Sequence, residues 1–227
     1  MTTAIRACIF DAYGTLLDVH SAVGRHASRV GDIAPVFSQT WRTKQLEYSW
    51  VGSLMHRYRD FWTLTGAALD FAMERHGIAD VALRADLLDA YRRLDAYAEV
   101  VPMLAALKAA GIRTAILSNG SPAMLDSAII AAGIADVLDV TISVDEIGIY
   151  KPDPRVYDLA LRRLGVGAAE VTFQSSNAWD VAGAAAFGLR TFWINRTRQP
   201  REYLAAADLD ILDDLTSLPA RIGLAGR

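Results

Sequence analysis

The chain has 227 residues, 52% of them hydrophobic, enough apolar material for one elaborated domain or two small ones and too much for a disordered chain. Twenty-three Lys and Arg against 26 Asp and Glu leave a formal charge of -3 with no long run of either sign, which favours neither nucleic acid nor an anionic membrane as a partner and points to small-molecule chemistry. One cysteine excludes an intrachain disulfide and a multi-thiolate zinc site, and no uninterrupted apolar stretch reaches the ~20 residues of a bilayer span.

Ala7 to Phe10 is an apolar, strand-like run holding Cys8, a small buried thiol on this reading, and it stops at a single carboxylate, Asp11. Gly14 and Thr15 then open a turn, and the residue two positions beyond the aspartate is the aromatic Tyr13, not an acid. Residues 19–97 change in character. Ala34 to Trp50, Leu54 to His76 and Val81 to Tyr97 read as helices rich in Arg, Tyr and Trp, with no convincing strand among them. Such an insertion after a first strand predicts a helical cap above the sheet edge, placed to close a site and exclude water.

Beyond residue 97, β-branched runs at Arg113 to Leu117, Val140 to Ser143, Val171 to Gln174 and Thr191 to Ile194 alternate with helix-like segments. Two of those segments, Val101 to Ala110 and Pro122 to Ala132, end in Ala-Ala-Gly-Ile, where Gly111 and Gly133 can take the left-handed conformation that terminates a helix. The pattern predicts an α/β fold: a Rossmann-like parallel-sheet core from residues 1–18 and 98–227, carrying an inserted α-helical cap domain at 19–97.

Open α/β sheets bind ligands at the carboxyl ends of their strands, and four segments fall there: Asp11 to Thr15, Ser118 to Ser121, Tyr150 to Pro154, and Ser175 to Asp180. Taken singly, each has a plain structural reading as a turn, a helix cap or a solvated loop. The four histidines, His20, His26, His56 and His76, are dispersed and form no pair with ligand spacing, which argues against a histidine base or a zinc site.

Together the segments resemble the haloacid dehalogenase superfamily and, within it, the L-2-haloacid dehalogenases. The resemblance rests on Asp11-Ala-Tyr-Gly-Thr-Leu, Thr40-Trp-Arg-Thr-Lys-Gln-Leu-Glu-Tyr, Leu117-Ser-Asn-Gly-Ser, Tyr150-Lys-Pro-Asp-Pro-Arg-Val-Tyr and Ser175-Ser-Asn-Ala-Trp-Asp, and it runs from residue 5 to about 220. Phosphatase members of the superfamily place a second Asp where this chain has Tyr13, as acid/base and as part of a magnesium site. Leu17 stands where many relatives carry an aromatic.

The resemblance implies a two-step hydrolysis. Asp11 displaces halide from C2 of a short L-2-haloalkanoate, and water then opens the aspartyl ester to give a D-2-hydroxy acid, with no cofactor and no metal. The reach extends to fluoroacetate-type acids if the halide seat holds a small anion strongly enough. Burial would raise the pKa of the nucleophile, so a cation must keep it ionised; Lys151 is the natural one. Thr15 and Ser175 would hold the second Asp11 oxygen. Arg42 and Asn119 would receive the halide, with Phe61 presenting a ring edge. The backbone N–H groups of Ala12 and Tyr13, with the Ser118 hydroxyl, would seat the substrate carboxylate. Leu46, Tyr13 and Trp179 would line the apolar side.

For ester hydrolysis Asp180 is the expected base, supported by Asn177 and Tyr157, although Asp180 could instead only orient Lys151. The expected partners are the small haloacid and its halide, with no nucleic acid and no membrane, in a cytoplasmic protein that forms a homodimer. Two other readings stay open at this point: a magnesium-dependent phosphatase on the same fold, disfavoured by Tyr13, and a non-catalytic carboxylate-binding protein.

Overall fold

A computed structural model describes residues 4–203 and 209–224. Strand β1 (Ala7–Phe10) is buried along its whole length. The chain then rises through helices α1 (Ser21–Gly24), α2 (Ala27–Val30), α3 (Ala34–Leu54), α4 (Phe61–Arg75) and α5 (Val81–Tyr91) before returning as α6 (Val100–Ala109). Strand β2 (Arg113–Ser118), α7 (Pro122–Ala131), β3 (Val140–Ser143), α8 (Pro154–Leu164), β4 (Val171–Ser175), α9 (Ala178–Phe187), β5 (Arg190–Ile194), β6 (Asp210–Leu212) and α10 (Leu218–Arg221) follow.

The six strands form one parallel sheet in the order β3-β2-β1-β4-β5-β6. Strands β1 and β4 are buried on both faces, as a sheet covered on both sides by helices requires. The strand-rich part and the helical insertion meet expectation: the fold is α/β, with a Rossmann-like parallel core and an inserted helical cap. The chain leaves and re-enters the core side by side, where Asp18 N–H donates to the Asp95 carbonyl at 2.8 Å and Tyr97 N–H to that of Leu16 at 3.1 Å. Leu17 is fully buried at this crossing, in a bridge with Ala96.

Three boundaries differ from the sequence reading. Leu54 to His76 is not one helix: α3 runs on to Leu54, residues 55–60 turn with His56 at φ +56°, and α4 starts at Phe61. The deciding group is Asp60, whose carboxylate accepts the Thr63 N–H at 3.0 Å and caps the new helix. Helix α5 ends at Tyr91 rather than Tyr97, and the three-residue edge strand β6 was too short to leave a pattern. By contrast, Gly111 and Gly133 take positive φ, +75° and +66°, just past α6 and α7 as expected.

Candidate active site

Parallel register decides which side chains can meet. Phe10 lies beside Ile116 of β2 and Gln174 of β4, so β1, β2 and β4 end together and deliver Asp11, Ser118 and Ser175 to one edge of the sheet. Asp11 is 5% exposed, and both of its carboxylate oxygens are occupied. Oδ1 accepts from Lys151 Nζ at 3.0 Å. Oδ2 accepts from Thr15 Oγ1 at 3.0 Å, Ser175 Oγ at 3.3 Å and Asn177 Nδ2 at 2.8 Å.

Lys151 is fully buried and its ammonium also donates to Asp180 Oδ2 at 2.9 Å, so one cation lies between two carboxylates. Burial alone would lower its pKa, but Asp11 and Asp180 outweigh that and hold it above the usual lysine value. Asp180 is also fully buried. Desolvation pushes its carboxyl up to about 6, against the opposing pull of Lys151 and of Tyr157, whose hydroxyl donates to Asp180 Oδ1 at 2.8 Å. Every residue expected to act on Asp11 or on water is therefore in one connected polar cluster.

The residues expected to seat the substrate and the halide lie on the neighbouring turns and on the cap. Tyr13 stacks on Tyr91 with centroids 5.7 Å apart and lies 6.2 Å from Phe61. Its ring rests on the turn after β2, where a Cβ on Gly120 would stand 2.7 Å from Tyr13 Cε2; only glycine admits that approach. Half-buried Arg42 donates from Nη2 to the Tyr13 carbonyl at 3.2 Å, so the cap reaches over the turn that follows Asp11. Asn119 Oδ1 accepts the Lys151 N–H at 3.1 Å, which ties the β2 end to the lysine loop. Ser118 Oγ accepts from Gly120 N–H at 3.0 Å and keeps its own proton to donate. The N–H groups of Ala12 and Tyr13 donate to nothing among the described residues, as an anion seat needs.

Leu46 lies one turn beyond Arg42 on α3, on the face that continues to Trp50, and Trp179 meets Trp50 edge to face at 5.3 Å. Leu46 and Trp179 are both partly buried.

Three residues of the network went unrecognised in the sequence. Fully buried Gln45 accepts from Arg42 Nη1 at 2.7 Å and from the Tyr91 hydroxyl at 3.1 Å, and donates to Thr65 Oγ1 at 2.6 Å. Its i,i+3 spacing from Arg42 on a helix was the available signal. Ser176 donates its N–H to Thr15 Oγ1 at 2.8 Å and its hydroxyl to the Gly14 carbonyl at 2.7 Å, locking the first turn to the β4 end. Tyr91, remote in sequence, left no signal.

For a cation, the donor set is poor. Asp11 and Asp180 share Lys151, position 13 offers an aromatic ring, and among the described residues no three His, Cys, Asp or Glu side chains cluster.

Residues 5–188 match the model of the haloacid dehalogenase-like hydrolases. The (S)-2-haloacid dehalogenase 1 of Pseudomonas sp. (strain CBS-3) is 56% identical over 216 residues, 95% of each chain. A solved dehalogenase structure, 49% identical, superposes with a TM-score of 0.95 over 97% of this chain and 98% of its own. The L-2-haloacid dehalogenase from Xanthobacter autotrophicus, solved with chloropropionic acid covalently bound, is 38% identical and superposes with a TM-score of 0.88 over 97% of this chain and all of its own.

Proposed function

The chain belongs to the haloacid dehalogenase-like hydrolases, among the L-2-haloacid dehalogenases, and on that premise we propose that it converts short L-2-haloalkanoic acids to D-2-hydroxy acids and halide through an ester on Asp11. The observation that carries this reading is the asymmetry of the Asp11 carboxylate. Oδ2 is fixed by three donors, whereas Oδ1 has one contact, to Lys151, and keeps the lone pairs an in-line displacement needs.

In the first step Oδ1 attacks C2, the carbon–halogen bond breaks, and halide departs with the bonding pair toward Arg42 and Asn119. The guanidinium and the amide meet that growing charge in a site that excludes water. Ala12 and Tyr13 N–H groups and the Ser118 hydroxyl hold the substrate carboxylate, so backside attack on the L enantiomer inverts C2. In the second step water adds to the Asp11 ester carbonyl, and Asp180 takes its proton. With its pKa near 6, Asp180 is ionised at neutral pH yet basic enough for that transfer. The bond between the ester carbonyl carbon and the substrate oxygen then breaks, the departing alkoxide takes the proton back from Asp180 to leave as the hydroxy acid, and Asp11 is restored. Throughout, Lys151 places a positive charge 3.0 Å from Asp11 Oδ1.

The test is a halide-release panel over chloro-, bromo- and fluoro-substituted two- to four-carbon acids, with and without EDTA. Chelator-resistant release from L but not D acids is expected; metal-dependent phosphate release from phosphomonoesters in its place would overturn the reading. Asp11→Asn should fold normally and lose turnover by at least about 10³-fold, because it removes the nucleophile's charge with little change of shape. A single turnover in oxygen-18 water should leave the heavy atom in Asp11, not in the first product molecule.

A further inference from the structure

Helix α3 presents Arg42, Leu46 and Trp50 along one stripe, at i, i+4 and i+8. Both ends of that stripe touch the core: Arg42 Nη2 is on the Tyr13 carbonyl, beside the nucleophile, and the Trp50 ring is on Trp179, two residues past Asn177. Behind the tryptophan pair lies an outward-opening cavity of about 580 Å³, walled by Trp50, Trp179, Ile149, Tyr150, Lys151 and Pro152. Lys151 therefore belongs to both spaces, with its ammonium on Asp11 and its loop against the cavity. The reaction described above uses neither the cavity nor Trp50.

The contact between the two rings is edge to face, with planes at 81°, and it joins a cap helix to a core helix. The buried Trp50 indole N–H has no hydrogen-bond partner among the described residues, so no polar contact fixes this ring in its place. The cavity wall at the Trp50 end of the stripe is thus a pair of aromatic rings packed edge to face, with no hydrogen bond on the Trp50 indole.

We infer that Trp50 sets the chain length of the substrate: the alkyl tail of a longer 2-haloalkanoate passes between Trp50 and Trp179 into this cavity. The inference rests on the dehalogenase reading above. It requires a substrate tail directed along the α3 stripe, while C2 and the carboxylate stay beside Asp11. An apolar tail suits the cavity walls, and each methylene transferred from water to such a surface is worth up to about fourfold in affinity.

The experiment measures kcat/KM by bromide release for 2-bromopropionate and 2-bromooctanoate, and takes the ratio of the long acid to the short one. In Trp50→Ala that ratio should rise by about tenfold or more, because the passage widens. In Ile149→Trp, which narrows the space beyond the rings, it should fall. Trp50→Phe should move the ratio upward by less than the alanine variant, and it carries the test should Trp50→Ala fail to fold. A ratio that stays at the wild-type value in the Trp50 and Ile149 variants, or moves the same way in both, overturns the tail path while leaving the activity intact. Wild-type enzyme that releases no bromide from 2-bromopropionate sinks the dehalogenase reading itself, and the inference with it.

Discussion

Asp180 shows how one residue's chemistry is set by what touches it. Its carboxylate is buried and raised to about 6, and the Tyr157 hydroxyl is one of the contacts that pull it back down. A base must be ionised to accept a proton, so turnover should fall as pH drops through about 6. Tyr157→Phe removes a hydrogen bond that favours the charged form, so the acid limb of the kcat profile should move to higher pH; a limb left in place or moved lower contradicts the base role. Gln45 acts one step further out. It holds Arg42 Nη1 while the Tyr13 carbonyl holds Nη2, so Gln45→Leu should leave the guanidinium less well placed for departing halide. We expect about a tenfold loss of kcat, larger for chloride than for bromide as the leaving group. In an Arg42→Ala background the same change should add little, and a fully additive double mutant would speak against positioning.

At the scale of elements, the close approach of α9 to the lysine loop matters most. A Cβ on Gly183 would lie 2.5 Å from Pro152 Cβ and 2.6 Å from the Tyr157 hydroxyl, so glycine lets α9 press Asp180 against Lys151. Gly183→Ala should overpack this contact and destabilise the fold by about 2 kcal/mol, or about 4–8 °C in Tm. It should also lower kcat, since the helix and the loop cannot both keep their places. Unchanged calorimetric Tm together with unchanged kcat would show that the contact relaxes without cost. Helix α3 is the other decisive element: it carries Arg42, Gln45 and Trp50 on 21 continuous residues, so one helix sets their spacing on the cap side of the site.

Across the whole molecule, the site exists only where cap and core close on each other. Besides Arg42 on the Tyr13 carbonyl, the Tyr58 hydroxyl meets Asp145, Ser53 Oγ accepts the Tyr150 N–H at 3.2 Å, and the Tyr150 hydroxyl donates to the Arg59 carbonyl at 2.6 Å. Tyr150→Phe keeps the ring against Phe61 but leaves that carbonyl without its donor, a loss of about 1 kcal/mol in the closed arrangement. We expect kcat/KM to fall by about fivefold, mostly through KM. A kcat/KM equal to that of the wild type would show that closure does not depend on this bond.

The sequence by itself determined the first five strands of the sheet and the family motifs at their ends. The runs at Ala7, Arg113, Val140, Val171 and Thr191 are apolar and β-branched because buried parallel strands must be, and that local pattern survives without knowledge of neighbours. Asp11, Thr15, Lys151, Ser175, Asn177, Tyr157 and Asp180 were legible because each sits in a short motif at a strand end or in the loop or helix just after it, where register alone brings them together. The break between α3 and α4 falls at 55–60 rather than between Trp50 and Leu54, because α3 continues to Leu54 and the Asp60 cap starts the next helix at Phe61. Tyr91 carries no local mark and Gln45 only its spacing from Arg42: a glutamine in a helix becomes a buried anchor for Arg42 only when three cap helices pack around it. The same holds for Trp50, whose meaning comes from facing Trp179 across two separately wound parts of the chain. Periodicity and motif are properties of neighbouring residues, whereas long-range side-chain contacts are fixed only by how the elements pack.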